Sequence, residues 1–569
     1  RYTSRPVHGY HREPARDIPI LGDVDVLVVG GSQSGCAAAI CAARHGASVQ
    51  LVERFGSLGG QSIYSLVVQW EKRAFINNLG AVATRGIAKE MLERILAKGG
   101  SDGLWHTPPG CIEMRDGEEW LDVEAIKLIL IEMCQEAGVD LLFHTMATDV
   151  MVSREGSTLP RMTGVIFENK SGRFAITARI VIDATADLDL VWRAIGEDGC
   201  QMRPPEDRMA AGFYVWFGGI DNEAFVEYLL NSPEQMGFPN PKTYPDKVRQ
   251  HLREEKLVYS RGFRDILEQA GQQGLLAPVN ELLSHIGAPP FERLYVKYVG
   301  HNRWCCAFLG LRNLNLLDTW QLTEFEILRI KLTSLMLPVM RLIPGWQNCY
   351  IARTNEYMGS RETRYLKAVT MLREEDIFPA ADEGLATRPD TVGRSGAHDP
   401  GKNRLKFAYP IPYGITVPAQ LDGVLCCTRA VGALPPVALN AHRGIVPTIV
   451  VGQAAGTAAA LAVKAAVQPR EVDLGQLQAT LRQDDVVLDV ETIDLDFESP
   501  PGCGGAGGRE PRPMLVPTGA KQSLRSWDRQ GHRRGVLTGC CHSARRYASE
   551  HRAGDAYPAR LLRGLLVRG

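Results

Sequence analysis

A buried-strand pattern running straight into a glycine turn and an alanine-rich helix restricts this chain more than any other feature. Val24 to Val29 is an almost wholly apolar run, followed by Gly30-Gly31-Ser32-Gln33-Ser34-Gly35 and the small-residue stretch Cys36 to Ala43. A continuous apolar strand implies burial on both faces, as in a parallel sheet. After Gly46, Val49 to Val52 supplies a second strand that ends at Glu53, closing a βαβ unit of about thirty residues. In such a unit the amide groups of the turn and the helix dipole face a pyrophosphate, and an acidic side chain after the second strand accepts ribose hydroxyls. Gly30, Gly31, Ser32, Ser34, Gly35, Glu53 and the adjacent Arg54 occupy those places. Ser32 stands where glycine is usual, so it either crowds the pyrophosphate or donates its hydroxyl to it. A tight turn that binds nothing is the plain alternative.

The rest of the chain extends this unit. Helical patterns at Ile87 to Ala97 and Val123 to Ala137 lead through Gly138 into a short strand at Val139 to Phe143. Val150 to Val152, Gly164 to Phe167 and Phe174 to Ile182 read as strands of a small β-rich excursion that returns to the sheet at Asp183-Ala184-Thr185. From 196 to 404 the texture changes to longer polar helices and Pro-rich connections, with Leu322 to Met340 the clearest helix and Pro344-Gly345 its stop. A strand at Gly423 to Cys427 and a helix from Val446 to Ala466 restore the first texture. The expected fold class is therefore α/β: a Rossmann-like dinucleotide-binding domain with a parallel central sheet, built from 17–195 and 405–490, around an inserted α+β cap domain at 196–404.

Charge separates the tail from this body. Residues 501–569 carry 13 Lys and Arg against 4 Asp and Glu, leaving 51 against 61 before them. Gly, Pro and Arg dominate that stretch without apolar periodicity, so 500–569 is expected to be a disordered basic tail. Its arginines lack aromatic or helical spacing, and no nucleic-acid partner is expected. The 13 cysteines include no C-x-x-C pair, which argues against iron–sulfur clusters and structural zinc and leaves no expected metal site. Cysteines such as Cys41 and Cys426 inside apolar runs suit a reducing compartment, and with no apolar leader visible before Pro19 a cytoplasmic setting is the expectation. The uncharged run Gly444 to Val463 is long enough for a membrane span, but its Gly and Pro content predicts a buried helix and no span.

Beyond the glycine turn, the stretches LVERFGSLGGQS (51–62), WLDVEAIKLILIEMCQEAGVDLLFHT (120–145), IVIDATADLDL (180–190), LDGVLCCTRAVG (421–432) and GQAAGTAAALAV (452–463) resemble the FAD-dependent oxidoreductase family of the glutathione-reductase-like superfamily. The resemblance covers most of 17–485 and implies FAD as cofactor. By that resemblance Gly59, Gly60 and Gln61 form the wall beside the isoalloxazine. Thr148 and Val150 lie where backbone meets adenine, and Asp183 and Thr185 form the turn near the pyrophosphate. Ala186 replaces the family's glycine after that threonine. Arg429 and the helix from Val446 through Gly452 resemble the second flavin-contacting segment, whose N-terminus stabilises negative charge on the reduced flavin. GQAAG equally permits tight helix packing.

Arg361 and Arg364, flanking Glu362-Thr363, resemble the family's arginine-rich cap stretch and suit an anionic or oxygen-rich small-molecule substrate, with a structural ion pair as the alternative. His442 before the last flavin helix is the candidate general base, with a structural histidine as its alternative, and His301 is a second. The expected reaction is hydride transfer between a small organic substrate and the flavin, followed by reoxidation by an acceptor that the sequence does not identify. A nicotinamide dehydrogenase, an electron-transfer subunit without its own substrate and a non-enzymatic binding module are the competing readings.

Overall fold

The computed structural model describes residues 5–75, 81–99, 118–155, 158–232, 259–300, 302–378, 388–396 and 408–492. The expected tail at 500–569 and His301 lie outside the described residues. Strand β1 (Ile20–Val29) turns through Gly30 and Gly31 into α1 (Gln33–Arg44), and β2 (Val49–Val52) returns beside it. Ser32 caps α1, its side chain accepting from the Gly35 amide at 3.3 Å. Helix α2 (Val123–Glu136), capped by the Asp122 carboxylate, leads to β3 (Asp140–Leu142). An antiparallel meander follows, β4 (Met146–Ser153), β5 (Arg161–Asn169) and β6 (Gly172–Asp183), ending in the short helix α3 (Asp189–Ile195).

The inserted stretch builds a five-stranded antiparallel sheet from β7 (Ala211–Gly218), β8 (Tyr259–Gly262), β9 (Leu294–Tyr298), β10 (Trp304–Leu311) and β11 (Tyr350–Thr354), in the order β8-β9-β10-β7-β11. Every residue of β7 is buried, and its alternation divides two cores. Tyr214 and Trp216 pack with the first sheet's core, whereas Phe213, Val215 and Phe217 pack with the α4 helix (Thr319–Met340) in a second one. The expectation of long helices across 196–404 thus holds for α4, and this sheet supplies the β part of the expected α+β insert, although none of its strands was marked from the sequence. Its strands pair over up to about 140 positions of sequence, so no local periodicity announces them.

The chain then returns to the first sheet with β12 (Val424–Cys426), the short helix α5 (Val437–His442) and the long helix α6 (Ile445–Ala465). The completed seven-stranded sheet has the order β3-β2-β1-β6-β5-β4, with β12 parallel to the end of β6. Helix α6 is long and apolar enough to cross a membrane, yet 94% of its apolar window is buried inside the protein. It lies on α1 with almost no space between the backbones: a Cβ added at Gly452 would sit 2.2 Å from the Ser34 carbonyl oxygen, and one at Gly456 2.1 Å from that of Ala38. We expect Gly456→Ala to push these helices apart and cost roughly 1–3 kcal/mol. Urea denaturation would measure it against Gly271→Ala, where an added Cβ meets nothing within 4 Å.

Candidate active site

The parallel ladders bring five strand ends into one row. Leu142, Val52, Val29, Asp183 and Cys426 are successive partners across the carboxyl edge of the sheet. The residues after them extend the ladder by one step: Glu53 N donates to Leu142 O (2.8 Å), Gly30 N to Val52 O (2.8 Å), Ala184 N to Val29 O (2.9 Å) and Cys427 N to Asp183 O (3.2 Å). Ligands of open α/β sheets bind in the crevice outside such an edge.

Gly30 takes φ +111°, and a side chain there would strike the Ala184 carbonyl at 2.2 Å. The first-turn amides of α1, at Gln33 and Ser34, have no carbonyl to bond within the helix and point off its N-terminus. Glu53 is buried at the end of β2, its Oε2 accepting from Gly31 N (2.6 Å) and Oε1 from Phe55 N (2.9 Å). Each carboxylate oxygen keeps a second lone pair for a hydroxyl. Gly59 and Gly60 have φ of +116° and +52°, and a Cβ on Gly60 would come 2.9 Å from Ser32 Cβ. Gln61 donates to the Ser360 carbonyl (3.1 Å), tying this second loop to the inserted domain. Arg54 lies 4.6 Å above the Phe55 ring and 5.0 Å above that of Tyr357. The result is a cradle kept open by missing side chains, with donors from α1 and an acceptor from Glu53, and it fits a dinucleotide.

Asp183 and Thr185 serve the turn itself. Asp183 accepts from the Thr185 amide and hydroxyl and from the Leu190 and Val191 amides, capping α3, and burial pushes its carboxyl up to about 6. Thr148 and Val150 stand outside the row, on meander strand β4, where Val150 pairs with Val165 and Thr148 donates to the Ile166 carbonyl. Gly452 is two turns inside α6, where its surroundings are the α1 backbone; the N-terminus that can face a ligand is at Gly444 and Ile445.

The four residues 361–364 go to different partners. Arg361 lines a cavity; Glu362 is buried and accepts from Arg203 Nε and Nη2 at 2.7 and 2.6 Å. The Thr363 hydroxyl donates to Asp187 at 2.5 Å, and Arg364 donates to the Asp187 carbonyl (2.9 Å) and to Asp189 (2.8 Å) while stacking on Trp192. Arg364 is therefore placed as an ion-pair partner, not in the cavity. Arg429 reaches Asp187 at 2.6 Å, the Ala186 carbonyl at 2.7 Å and the Ser360 hydroxyl at 3.2 Å. Burial would raise the Asp187 carboxyl, yet Arg429, the Thr363 hydroxyl and Arg364 hold it below the ordinary range. The sequence reading passed over Asp187, although it stands in the quoted 180–190 stretch directly after Ala186.

His442 has no exposed surface. Its Nδ1 is 3.0 Å from the Tyr409 hydroxyl, Nε2 has no partner among the described residues, and burial lowers its pKa to about 4. An imidazole so depressed is neutral at pH 7 and far weaker than a base matched to that pH.

Residues 25–481 match the family described as FAD dependent oxidoreductase. The chain belongs to that family. FAD is therefore its cofactor, and the nicotinamide alternative falls away. No curated protein sequence matches this FAD-dependent oxidoreductase. Among solved structures it is similar to a geranylgeranyl bacteriochlorophyll reductase-like protein from Thermoplasma acidophilum (13% identity, 81% of this chain and 83% of that one, TM-score 0.41). Similarity also extends to the myxobacterial chondrochloren halogenase CndH (12% identity, 81% and 79%, TM-score 0.43) and to Aquifex aeolicus GidA (12% identity, 78% and 64%, TM-score 0.41).

Two measurements check the electrostatics. Arg429→Ala leaves the partly buried Asp187 carboxylate with Arg364 as its remaining cation and should cost roughly 1–3 kcal/mol, whereas Arg429→Ala combined with Asp187→Asn should recover part of that in a denaturation double-mutant cycle. For His442 the folded pKa lies below the unfolded 6.5, so its stabilising contribution is present above pH 6.5 and is lost as pH falls toward 4. The wild type should lose about 3 kcal/mol more than His442→Gln across that window in denaturant titrations.

Proposed function

We propose that this chain catalyses hydride transfer between a small organic substrate and FAD, with the electrons then handed to a separate acceptor. The observation that carries the reading is the convergence of the α1 N-terminus, Glu53 and the Gly59–Gly60 loop on the carboxyl edge of one sheet. When bound, FAD would supply the electron-accepting ring for that chemistry. The amides of Ser32, Gln33 and Ser34 and the α1 dipole would hold the pyrophosphate, and Glu53 the ribose. Gly60 and Gln61 would flank the ring, and the uncapped N-terminus of α6 would favour negative charge beside it. Arg361 would orient the substrate. His442 is assigned to packing with Tyr409 rather than to proton removal.

Anaerobic mixing of the purified flavoprotein with a panel of small hydroxy and amino acids tests this. We expect one class to bleach the bound flavin, at a rate slowed more than twofold by deuterium at the oxidised carbon. Bleaching without such slowing would argue against hydride transfer. A flavin reduced only by a protein donor would favour the electron-transfer subunit.

A further inference from the structure

Resting on the same site, a cavity of about 430 Å³ lies between the segment 203–210, Arg312, Arg361 and the start of α5. Four guanidinium groups line it, from Arg203, Arg208, Arg312 and Arg361, against the single carboxylate of Asp207. Arg203 is already neutralised by Glu362. Arg208 is only 8% exposed, and its donors meet neutral acceptors, the Arg203 carbonyl at 2.7 Å and Asn315 Oδ1 at 3.0 Å. A buried cation without a contacting carboxylate is costly unless an anion joins it. Arg361 and Arg312 have no carboxylate partner among the described residues. Phe378, Pro436 and Val437 add apolar side chains to the lining. The cavity also adjoins the flavin loop: Ser360, next to Arg361, accepts from both Gln61 and Arg429.

We propose that this cavity is the substrate subsite and that it takes a carboxylate carried on a small hydrocarbon body, Arg361 and Arg312 gripping the carboxylate above Arg208 while Phe378, Pro436 and Val437 cover the apolar part. The planar fork of arginine matches a carboxylate in two parallel hydrogen bonds, which gives orientation as well as attraction. Apolar lining beside such a fork selects against a bare inorganic anion, which leaves that lining wet.

Calorimetric titration of the full-length flavoprotein at low ionic strength, with benzoate, benzamide and inorganic phosphate as probes, tests the assignment. The expected result is one benzoate bound per chain and benzamide at least tenfold weaker. Arg361→Gln and Arg312→Gln should each weaken benzoate at least fivefold. Arg312 is exposed, so its variant keeps the wild-type melting temperature and separates lost binding from lost folding. Equal binding of benzoate and benzamide, phosphate as tight as benzoate, or unchanged benzoate affinity in both variants would overturn the proposal. Flavin content read by absorbance on the same samples keeps the two readings apart: benzoate binding in a chain that takes up no FAD would refute the flavin chemistry and leave the carboxylate site standing.

Discussion

The approach of α1 to α6 is the constraint on which the cofactor side of this molecule depends. Two helices whose backbones meet at Gly452 and Gly456 cannot slide, because each glycine lies against a specific carbonyl of the other helix, Ser34 and Ala38. Fixing α1 in this way fixes the turn at Gly30 to Ser32 at its mouth. The Ser34 hydroxyl reinforces the lock by donating to the Cys427 carbonyl just after β12. A part of the chain roughly 400 positions along thereby holds the first turn in place.

A second constraint operates in ions rather than in close packing. Asp187 follows the β6 turn, Arg429 follows β12, and Ser360 and Thr363 belong to the inserted stretch, and all four meet in one hydrogen-bonded cluster. An enclosed pair of this kind adds little net stability over apolar packing, but losing one member strands the other. Its effect is on register: the three segments can come together in few other ways without leaving Asp187 or Arg429 uncompensated. Since Ser360 also accepts from Gln61, the cluster sets the position of the Gly59–Gly60 loop.

What was legible in the sequence follows from how local each signal is. The β1–turn–α1 unit, Glu53, α2, the meander and α6 all announce themselves within short windows, through apolar runs, caps and glycines, and the structure places them as elements of the expected kinds. Strand β7 escaped because its identity comes from pairing with β10 and β11, far along the chain, and a continuous run such as Ala211–Gly218 has no period to distinguish it from a buried helix. Gly452 was read toward the flavin because a glycine tells only that something approaches closely, not what. His442 looked like a base because its burial and its Tyr409 partner, 33 positions away, are tertiary facts. Arg208 and Arg312 carried no motif at all.

The arginine-rich stretch shows why composition alone could not assign roles. Arg361 and Arg364 are the same residue type three positions apart, yet one faces a cavity and the other closes an ion pair on Asp189. The deciding factor is where the carboxylates lie. Glu362, Asp207 and Glu206 can offset at most three of the four cations around the cavity, whereas Asp187 and Asp189 together face Arg429 and Arg364 in equal number. The cluster beneath the glycine loop is therefore charge-balanced and suited to holding segments together. The cavity beside it has an excess of positive charge that the protein's own contacts leave unanswered, and an anionic guest is what would balance it.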